Sequence, residues 1–560
     1  MITTRKIGIF ATLLLTAVTV KAGDSLQSIL QNELQRELSV LSKQSLPAYY
    51  IQYRVDDIKN YSIAASFGSL TDEDSDNSSL LNVEVRIGDY TKDNTHITKL
   101  SDERPSIPVT LALPIEKNKE AIEIALWQAT HYAYRKAADE FNNIQSGMLN
   151  DAEEGTADFS KETPNVYYEA PLDFNKEKLS YMRERMKNIS GFFTSTPEIQ
   201  SADARFSYVY QRKYFANTEG TDIVQNNTYC QIQVVVVSKA EDGNYVPLVK
   251  TYSAFNPDSL PSEATIMQDM QQMLNLLKQL RNAPVADAYS GPAILSPDAA
   301  AVFFHEIFGH RIEGQRMKNN FDSQIFKNKV GSRIINKHLT VVSDPTMKNL
   351  GKLDMFGYYK YDDQGIKASR VELVKDGVLK DFLMSRTPIK GFEHSNGHGR
   401  SQTGLSPVSR QSNLIITSNQ VHSKEKLRKM LIAECKKQNK TFGYYFDQVI
   451  GGFTLTNRFT PNVFNVSPVV VYRVYVDGRP DELVRGINFI GTPLAIFEGI
   501  LAAGDQYGVF TGYCGAESGS IPVTASAPSL LIKKIETQKK PEGLNTKPIL
   551  PRPDFIKENK

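Results

Sequence analysis

The chain has 560 residues, 41% of them hydrophobic, and this length exceeds what one ordinary core accommodates, so two domains are expected. Its 65 basic and 63 acidic residues leave a net charge of +2. A balance this close to neutral provides no electrostatic footprint for nucleic acid or an anionic membrane surface, and neither is expected as a partner.

The N-terminus has the pattern of a secretory signal peptide. Arg5 and Lys6 precede an uncharged run over residues 7–20, and Ala22 ends a small-residue cleavage pattern. We therefore predict a signal peptide over residues 1–22 and export to the periplasm or the medium. The apolar run is shorter than the roughly 20 residues that span a bilayer as a helix, and no later run qualifies, so no membrane span is expected.

Residues 23–284 combine helical and strand patterns and are interpreted as an N-terminal α/β domain that ends in a hinge near Pro284. Apolar residues recur at three- and four-residue steps around Met270 and Met273, which is typical of a helix facing a core. Helices are predicted at residues 25–42, 116–141 and 266–280, and strands at residues 48–55, 82–87, 205–215, 231–238 and 246–254.

A helix that begins after Ser296 carries the most informative residues of the chain. Ser296 is a suitable N-cap, Pro297 suits the first helical position, and the apolar residues that follow indicate a buried helix. This helix leads into His305, Glu306 and His310. Two imidazoles flanking a carboxylate are the components of a zinc site that activates water.

The spacing of this motif exceeds the familiar His-Glu-x-x-His by one residue. Five steps of about 100° put His305 and His310 about 140° apart on a regular α-helix, too far for one metal ion to bind both. The motif therefore predicts a local distortion, either a π-bulge or an end of the helix. Gly309 makes the distortion less costly because glycine tolerates unusual backbone angles. A buried structural histidine pair is the competing interpretation.

Residues 285–537 alternate short strands with turn signals such as Asp477-Gly478, which indicates a mostly antiparallel, barrel-like β-rich domain carrying the metal site. The predicted fold class is therefore α+β. Residues 538–560 are rich in Lys and Pro and are interpreted as a flexible basic tail. Strands are predicted at residues 338–342, 368–374, 378–385, 413–417, 468–476 and 482–490, and a helix at residues 424–437.

Three cysteines in an exported chain leave one unpaired after any disulfide. Cys230 and Cys435 either form a disulfide or remain buried thiols. Cys514 lies between Tyr513 and Gly515 in a glycine-rich segment that can present a thiolate, a suitable third zinc ligand beside two imidazoles. Taken alone, a structural cysteine is the simpler interpretation of Cys514.

Three blocks of the sequence resemble the TldD/PmbA family of zinc metallopeptidases. Residues 305–314 spell His-Glu-x-x-x-His followed by a Glu-Gly pair, which is the family hallmark. Residues 376–400 resemble the family's strand and glycine-rich loop, and residues 512–530 resemble its C-terminal cysteine motif. Gln315 departs from the pattern, since cytoplasmic members tend to carry an acid at that position.

The resemblance implies that His305, His310 and Cys514 bind Zn²⁺ and that Glu306 is the general base. It also implies an N-terminal α/β domain, a β-rich C-terminal domain holding the metal, and an internal groove for extended peptides or unfolded protein segments. A dimer is expected by the same resemblance, formed either with a second copy or with a related subunit.

The expected function is zinc-dependent peptide hydrolysis by metal-activated water. His398 and Arg400 are candidates on chemistry alone for a donor to the oxyanion, although structural hydrogen bonds explain both residues equally well. The alternative function is a non-catalytic, secreted peptide-binding subunit with a structural zinc. A closed structural site requires a fourth protein ligand, and the sequence offers none, which favours catalysis. Only the family resemblance argues against a zinc hydrolase with another substrate.

Overall fold

The structure, a computed structural model, describes residues 25–97, 108–146, 155–318, 321–322, 324–457, 464–491, 493–540 and 552–553. The predicted signal peptide and most of the predicted tail lie outside these residues. The described chain is α+β, as predicted. Within these ranges, no helix combines the length and the apolar character needed to cross a bilayer.

Seven α-helices occur in the described ranges: α1 Ser25–Leu41, α2 Lys119–Gln145, α3 Met182–Gly191, α4 Glu263–Asn282, α5 Pro297–Ile307, α6 Lys424–Lys437 and α7 Pro493–Glu498. Of these, α6 has the bounds predicted from the sequence. The stripe of Met270 and Met273 on α4 is buried in a hydrophobic core, as its periodicity predicted.

The first sheet is built from β1 Ala48–Ser66, β2 Ser69–Ile87, β3 Val109–Ala112, β4 Val166–Tyr168, β5 Ile199–Asn217, β6 Asp222–Lys239 and β7 Tyr245–Ala254. The strand order is β3-β2-β1-β5-β6, and both β4 and β7 pair with β6. The pairs are antiparallel except for β4 with β6.

The remaining strands follow residue 285: β8 Tyr289–Leu295, β9 Leu339–Ser343, β10 Asn349–Leu350, β11 Leu353–Asp354, β12 Val371–Lys375, β13 Val378–Leu379, β14 Gly399–Arg400, β15 Val408–Ser409, β16 Asn413–Ser418, β17 Val421–His422, β18 Phe442–Thr454, β19 Phe464–Tyr475, β20 Glu482–Val484, β21 Ile487–Gly491, β22 Ile500–Ala516 and β23 Gly519–Lys539. Two short pairs, β10–β11 and β14–β15, stand apart, and the other twelve strands form the second sheet. In this sheet β8, β18, β19, β21 and β23 pair in a cycle that returns to β8.

Successive side chains of β1 point to opposite faces of the first sheet, and the two faces pack against different parts of the molecule. Val55 and Ile63 are buried on the face that the helices cover. Arg54 and Asp56 point to the opposite face, where Arg54 meets Asp363 of the second half of the chain. The first sheet therefore has one apolar face against its helices and one polar face against the other domain.

Helix α5 lies inside the core of the second half. Its residues from Ala299 to Phe304 are all buried, and the Phe303 ring stacks on Phe489 with the ring centroids 5.9 Å apart. The preceding strand β8 is paired on both sides, with β18 and with β23. The helix that carries the motif is thus packed against the strands of the second sheet.

Several predicted strands differ in length from the observed ones. The strand predicted at residues 378–385 ends at Leu379, because Leu383 instead exchanges backbone hydrogen bonds with Ile312 and Gly314, just after the motif. The strand predicted at residues 48–55 continues to Ser66 through polar residues that pair on both sides. The long hairpin of β22 and β23 was not predicted as two strands.

Cys230 and Cys435 are free, buried thiols, so the disulfide alternative is not realised. They lie in different hydrophobic clusters. Strand β23 runs to Lys539 and so includes the first two residues of the predicted tail. Farther on, the Arg552 guanidinium donates hydrogen bonds to the backbone carbonyls of Thr194, Thr196 and Ile199, which places this residue against the N-terminal half.

Candidate metal centre

Helix α5 begins as predicted and ends early. Ala299 N donates to the Ser296 side chain at 3.2 Å, which caps the first turn. The last α-helical bond runs from Phe308 N to Phe304 O, and a 3₁₀ turn, Gly309–Arg311, follows. The predicted distortion is therefore present, and it is an end of the helix rather than a π-bulge.

This ending brings the two imidazoles together. The ring centroids of His305 and His310 are 5.3 Å apart, with 75° between the planes. Cys514 arrives on β22, and its Sγ lies 3.2 Å from Nε2 of His310. One potential ligand atom from each of the three residues lies within 4.8 Å of the other two. All three side chains are buried, with 2%, 6% and 5% of their surface exposed.

The cluster lies on the wall of a cleft of about 850 Å³. The cleft is bounded by the polar face of the first sheet, where Gln231 and Gln233 project from β6, and by α5, β18 and β22. Glu306 also lines it, beside the cluster. Burial raises the pKa of the Glu306 carboxyl above its usual range, and among the described residues no hydrogen bond engages that carboxylate.

Cys514 and His310 each favour the charged form of the other. Burial alone would raise the pKa of the Cys514 thiol, but His310 and His305 outweigh burial and hold this pKa well below its usual range. Burial likewise opposes a charge on His310, yet Cys514 and Glu313 raise its pKa to about 10. The Cys514 thiolate and the Glu313 carboxylate, which raise the pKa of His310, also attract a metal cation.

Charged residues behind the cluster hold it in place. Nδ1 of His310 lies 3.3 Å from a Glu313 carboxylate oxygen, and Arg316 donates two hydrogen bonds to that carboxylate at 2.8 and 2.9 Å. Arg410 donates to the Cys514 carbonyl at 2.7 Å and to its Sγ at 3.4 Å. Burial opposes the charge of Glu313, but His310, Arg316 and Arg410 lower its pKa to about 2.

The residues present suit a zinc ion. Two imidazoles and a thiolate are donors that zinc accepts, and catalytic zinc sites characteristically use three protein ligands. Nδ1 of His305 is buried and has no hydrogen-bond partner within the described part of the chain. A buried polar atom without a partner is consistent with an imidazole that binds a metal ion. Partners behind the ligands, such as Glu313 at His310, are typical of metal sites.

The two candidates for an oxyanion donor are placed elsewhere, and neither lines the cleft. His398 is fully buried between Ser343 and Asn396, and burial lowers its pKa to about 3. Arg400 donates to the carbonyls of Gln411 at 2.6 Å and Pro522 at 2.9 Å. This corrects the suggestion made from sequence, because hydrogen bonds within the fold account for both side chains.

Four residues around the cluster were not assigned a role from sequence: Glu313, Arg316, Arg410 and Gln411. Glu313 stands in the Glu-Gly pair of the motif, so its spacing from His310 was a usable signal. Arg410 and Gln411 lie about a hundred residues from the histidines, and no local pattern connects them to the motif. Their contacts depend on the tertiary structure.

Family models match two segments of the chain. The model described as the PmbA/TldA metallopeptidase C-terminal domain matches residues 289–539, and the model of the central domain matches residues 164–266. Together they cover well over half of the chain. The first match includes the three candidate ligands, His305, His310 and Cys514, and also Glu306.

Individual proteins agree with these matches. The chain is 26% identical to a metalloprotease of Methanocaldococcus jannaschii over 63% of its own length and 72% of that protein. It is 23% identical to the zinc metalloprotease TldD homolog of Saccharolobus solfataricus over 65% of its length and 77% of that protein. The crystal structure of TldE from Thermococcus kodakarensis has a similar fold, with a TM-score of 0.61 at 13% identity over 91% of this chain and all of that one.

Proposed function

Because the chain belongs to the PmbA/TldA (TldD/PmbA) metallopeptidase family, we propose that it is a zinc-dependent peptidase acting on extended peptides or unfolded protein segments. The observation that carries the proposal is the convergence of His305, His310 and Cys514 beside Glu306 in one cleft. The names of the related metalloproteases support the same reading.

In this proposal His305, His310 and Cys514 hold the zinc ion and Glu306 is the general base. A bound zinc ion supplies Lewis acidity, which lowers the pKa of water and polarises a peptide carbonyl. Glu306 accepts a proton from the attacking water and passes it to the leaving amine. Its burial supports this role, since a raised pKa brings a carboxylate closer to the operating pH of a base.

The shape of the cleft supports an extended substrate. It lies between β6 and β7 of the first sheet and β18 and β22 of the second, so strands border it on two sides. An extended peptide can hydrogen-bond to strand edges through its main chain, which gives affinity with little dependence on side chains.

The second candidate function is a non-catalytic subunit that captures peptides. The fold shared with TldE does not by itself distinguish this function from catalysis, because function depends on the site and not on the fold. Glu306 argues for catalysis, since a structural zinc site has no use for a carboxylate beside a ligand histidine. We further propose that the chain forms a dimer with itself or a related subunit, and that its first 22 residues direct export.

Zinc content and peptide hydrolysis, measured together on the wild type and on Glu306→Gln, test the proposal. We expect stoichiometric zinc in both proteins and a fall in kcat/KM on the order of 10²–10⁴-fold in the variant. Unfolded casein and a quenched fluorescent peptide are suitable substrates. Hydrolysis that survives in zinc-loaded Glu306→Gln would remove Glu306 from the mechanism, and a wild type that binds no zinc would remove the enzyme assignment.

A further inference from the structure

The early end of α5 leaves three backbone carbonyls to be satisfied. In a continuing α-helix the carbonyls of His305, Glu306 and Ile307 would accept from the amides of the next turn. Those hydrogen bonds are not found among the described residues, because the chain turns into the 3₁₀ segment instead. The carbonyls lie in or beside the buried core around the cluster, where an unsatisfied polar group destabilises the fold.

Two side chains take the place of the missing amides. Nε2 of Gln411 donates to the carbonyl of His305 at 3.2 Å. Nη1 of Arg311 donates to the carbonyls of Glu306 at 3.2 Å and Ile307 at 3.1 Å. Gln411 is 1% exposed, and Arg311 is similarly buried, with its other nitrogen Nη2 donating to Leu455 O. All three carbonyls released by the end of the helix therefore have a side-chain donor.

Gly309 is what lets Gln411 come so close. A Cβ at this position would lie 1.8 Å from Oε1 of Gln411 and 2.1 Å from its Cδ. The backbone of Gly309 is not in the left-handed region, so its role is space rather than an unusual angle. This differs from the reason predicted from sequence. Arg400 holds Gln411 from the other side by donating to its carbonyl.

We propose that Gln411 and Arg311 are positioning residues that terminate α5 at Ile307 and thereby bring His310 into reach of His305 and Cys514. The proposal rests on the metal centre proposed above. Without the two donors, the cheapest way to satisfy the three carbonyls is to continue the α-helix through Gly309 and His310. A continued helix would turn the two imidazoles about 140° apart. The pair of donors therefore makes a five-residue histidine spacing compatible with one metal ion.

Metal affinity tests this role directly, since a positioning residue acts on the ligand geometry before any chemistry. Cobalt(II) added to zinc-free protein reports the dissociation constant and the ligand geometry through its visible absorption. We expect Gln411→Met, which keeps the length and removes the donor, to raise the cobalt dissociation constant about 10–100-fold and to change the spectrum. Arg311→Met should act likewise, and Arg311→Lys, which keeps charge and a donor, should recover part of the affinity.

Gln225→Met is the matched control. Gln225 is also 1% exposed, and its Nε2 donates to a backbone carbonyl, that of Tyr361, at 2.8 Å. It belongs to the first sheet, and its side chain hydrogen-bonds to the backbone of Tyr361 rather than to α5. We expect this variant to lose thermal stability in the metal-free state to a similar extent while keeping wild-type cobalt affinity. An equal loss of cobalt affinity in Gln225→Met would show a general effect of destabilisation and overturn the proposal.

A double variant tests the fit between Gly309 and Gln411. Gly309→Ala alone should weaken cobalt binding as Gln411→Ala does, because the new methyl group displaces the glutamine side chain. The two changes together should cost little more than Gln411→Ala alone. Additive losses would contradict the assignment, since they would place the effect of Gly309 somewhere other than Gln411.

The outcomes separate this inference from the proposed function. A wild type that takes up neither zinc nor cobalt removes the metal centre, and the positioning role falls with it. A wild type that binds cobalt and hydrolyses peptides, together with a Gln411→Met variant of unchanged affinity and spectrum, leaves the peptidase standing and overturns the positioning role alone.

Discussion

Glu313 lies directly behind the candidate ligands, and its carboxylate contacts His310 on one side and Arg316 on the other. It is fully buried, so its charge is compensated by these neighbours rather than by water. A carboxylate at the distal nitrogen of an imidazole fixes the ring orientation and strengthens the ring as a ligand. Glu313, near the end of the motif, thus orients His310 as a ligand.

Glu313→Gln should weaken zinc binding by about 10–100-fold, because the neutral amide no longer orients His310 by a charged hydrogen bond. Competition with a chromophoric chelator measures the zinc dissociation constant. Glu517→Gln is the control, since Glu517 also accepts from Arg316, at 2.8 Å, without contacting His310. Equal losses in the two variants would assign the effect to Arg316 and contradict a role through His310.

Strand β18 changes register where it passes Glu306. Val449 pairs with Pro468 and Gly452 pairs with Val466, so two residues of β18 oppose one residue of β19. Such bulges recur beside active sites. A Cβ at Gly452 would lie 3.0 Å from Cγ of Glu306 and 2.9 Å from the carbonyl of Asn465. The bulge and Gly452 thus leave the space that the Glu306 side chain occupies.

Gly452→Ala should displace Glu306 and lower kcat, by up to about 10²-fold if the carboxylate moves by an ångström, with zinc content unchanged. Steady-state kinetics together with metal analysis measure both quantities. The same change made in Glu306→Gln should have little further effect, because the group it displaces is already inactive. A full additional loss in that background would indicate that Gly452 acts on the cleft in another way.

The two halves of the molecule are joined by a buried cluster of charges. Asp363 of the second half ion-pairs with Lys213 of β5 and lies 3.5 Å from Nη1 of Arg54 on β1, and it accepts from Ser401 N at 2.8 Å. Burial opposes the charge of Asp363, but Arg54 and Lys213 outweigh burial and lower its pKa from the usual 3.8 to about 2. This cluster helps to hold the polar face of the first sheet against the C-terminal half of the chain, and the cleft lies between the two.

Asp363→Asn should destabilise the protein by about 3–5 kcal/mol at pH 7, because the buried Lys213 loses its ion-pair partner and the buried Arg54 is left with Asp56. The folded-state pKa of Asp363 is lowered, so its stabilisation is present above about pH 4 and is lost as the pH falls through about 2. The difference in free energy of unfolding between wild type and variant should therefore narrow by about 2.5 kcal/mol as the pH falls through this range.

Urea unfolding at a series of pH values measures this difference. Asp477→Asn, which removes an exposed ion pair with Arg479, is the control and should change stability little at any pH. A difference between wild type and Asp363→Asn that stays constant from pH 7 to pH 2.5 would contradict the assignment of the lowered pKa.

Features that depend on residues a few positions apart follow from the sequence alone. The Ser296 cap, the bounds of α6, the apolar stripe of α4 and the need for a distortion between His305 and His310 all follow from caps, periodicity and helical geometry. The sequence also predicts the α+β class, and together with the family resemblance it predicts the residues of the candidate centre.

Features whose partners are distant in the chain depend on how the segments pack together. Gln411 ends α5 from about a hundred residues away, and Cys514 reaches His310 only because β22 is paired with β23. Pairing with β5, far along the chain, extends β1 beyond its predicted end. Bonds to distant residues likewise hold His398 and Arg400 outside the cleft. Local patterns encode the preferences of the backbone, whereas the partner of a buried polar group is set by which segments the fold packs together.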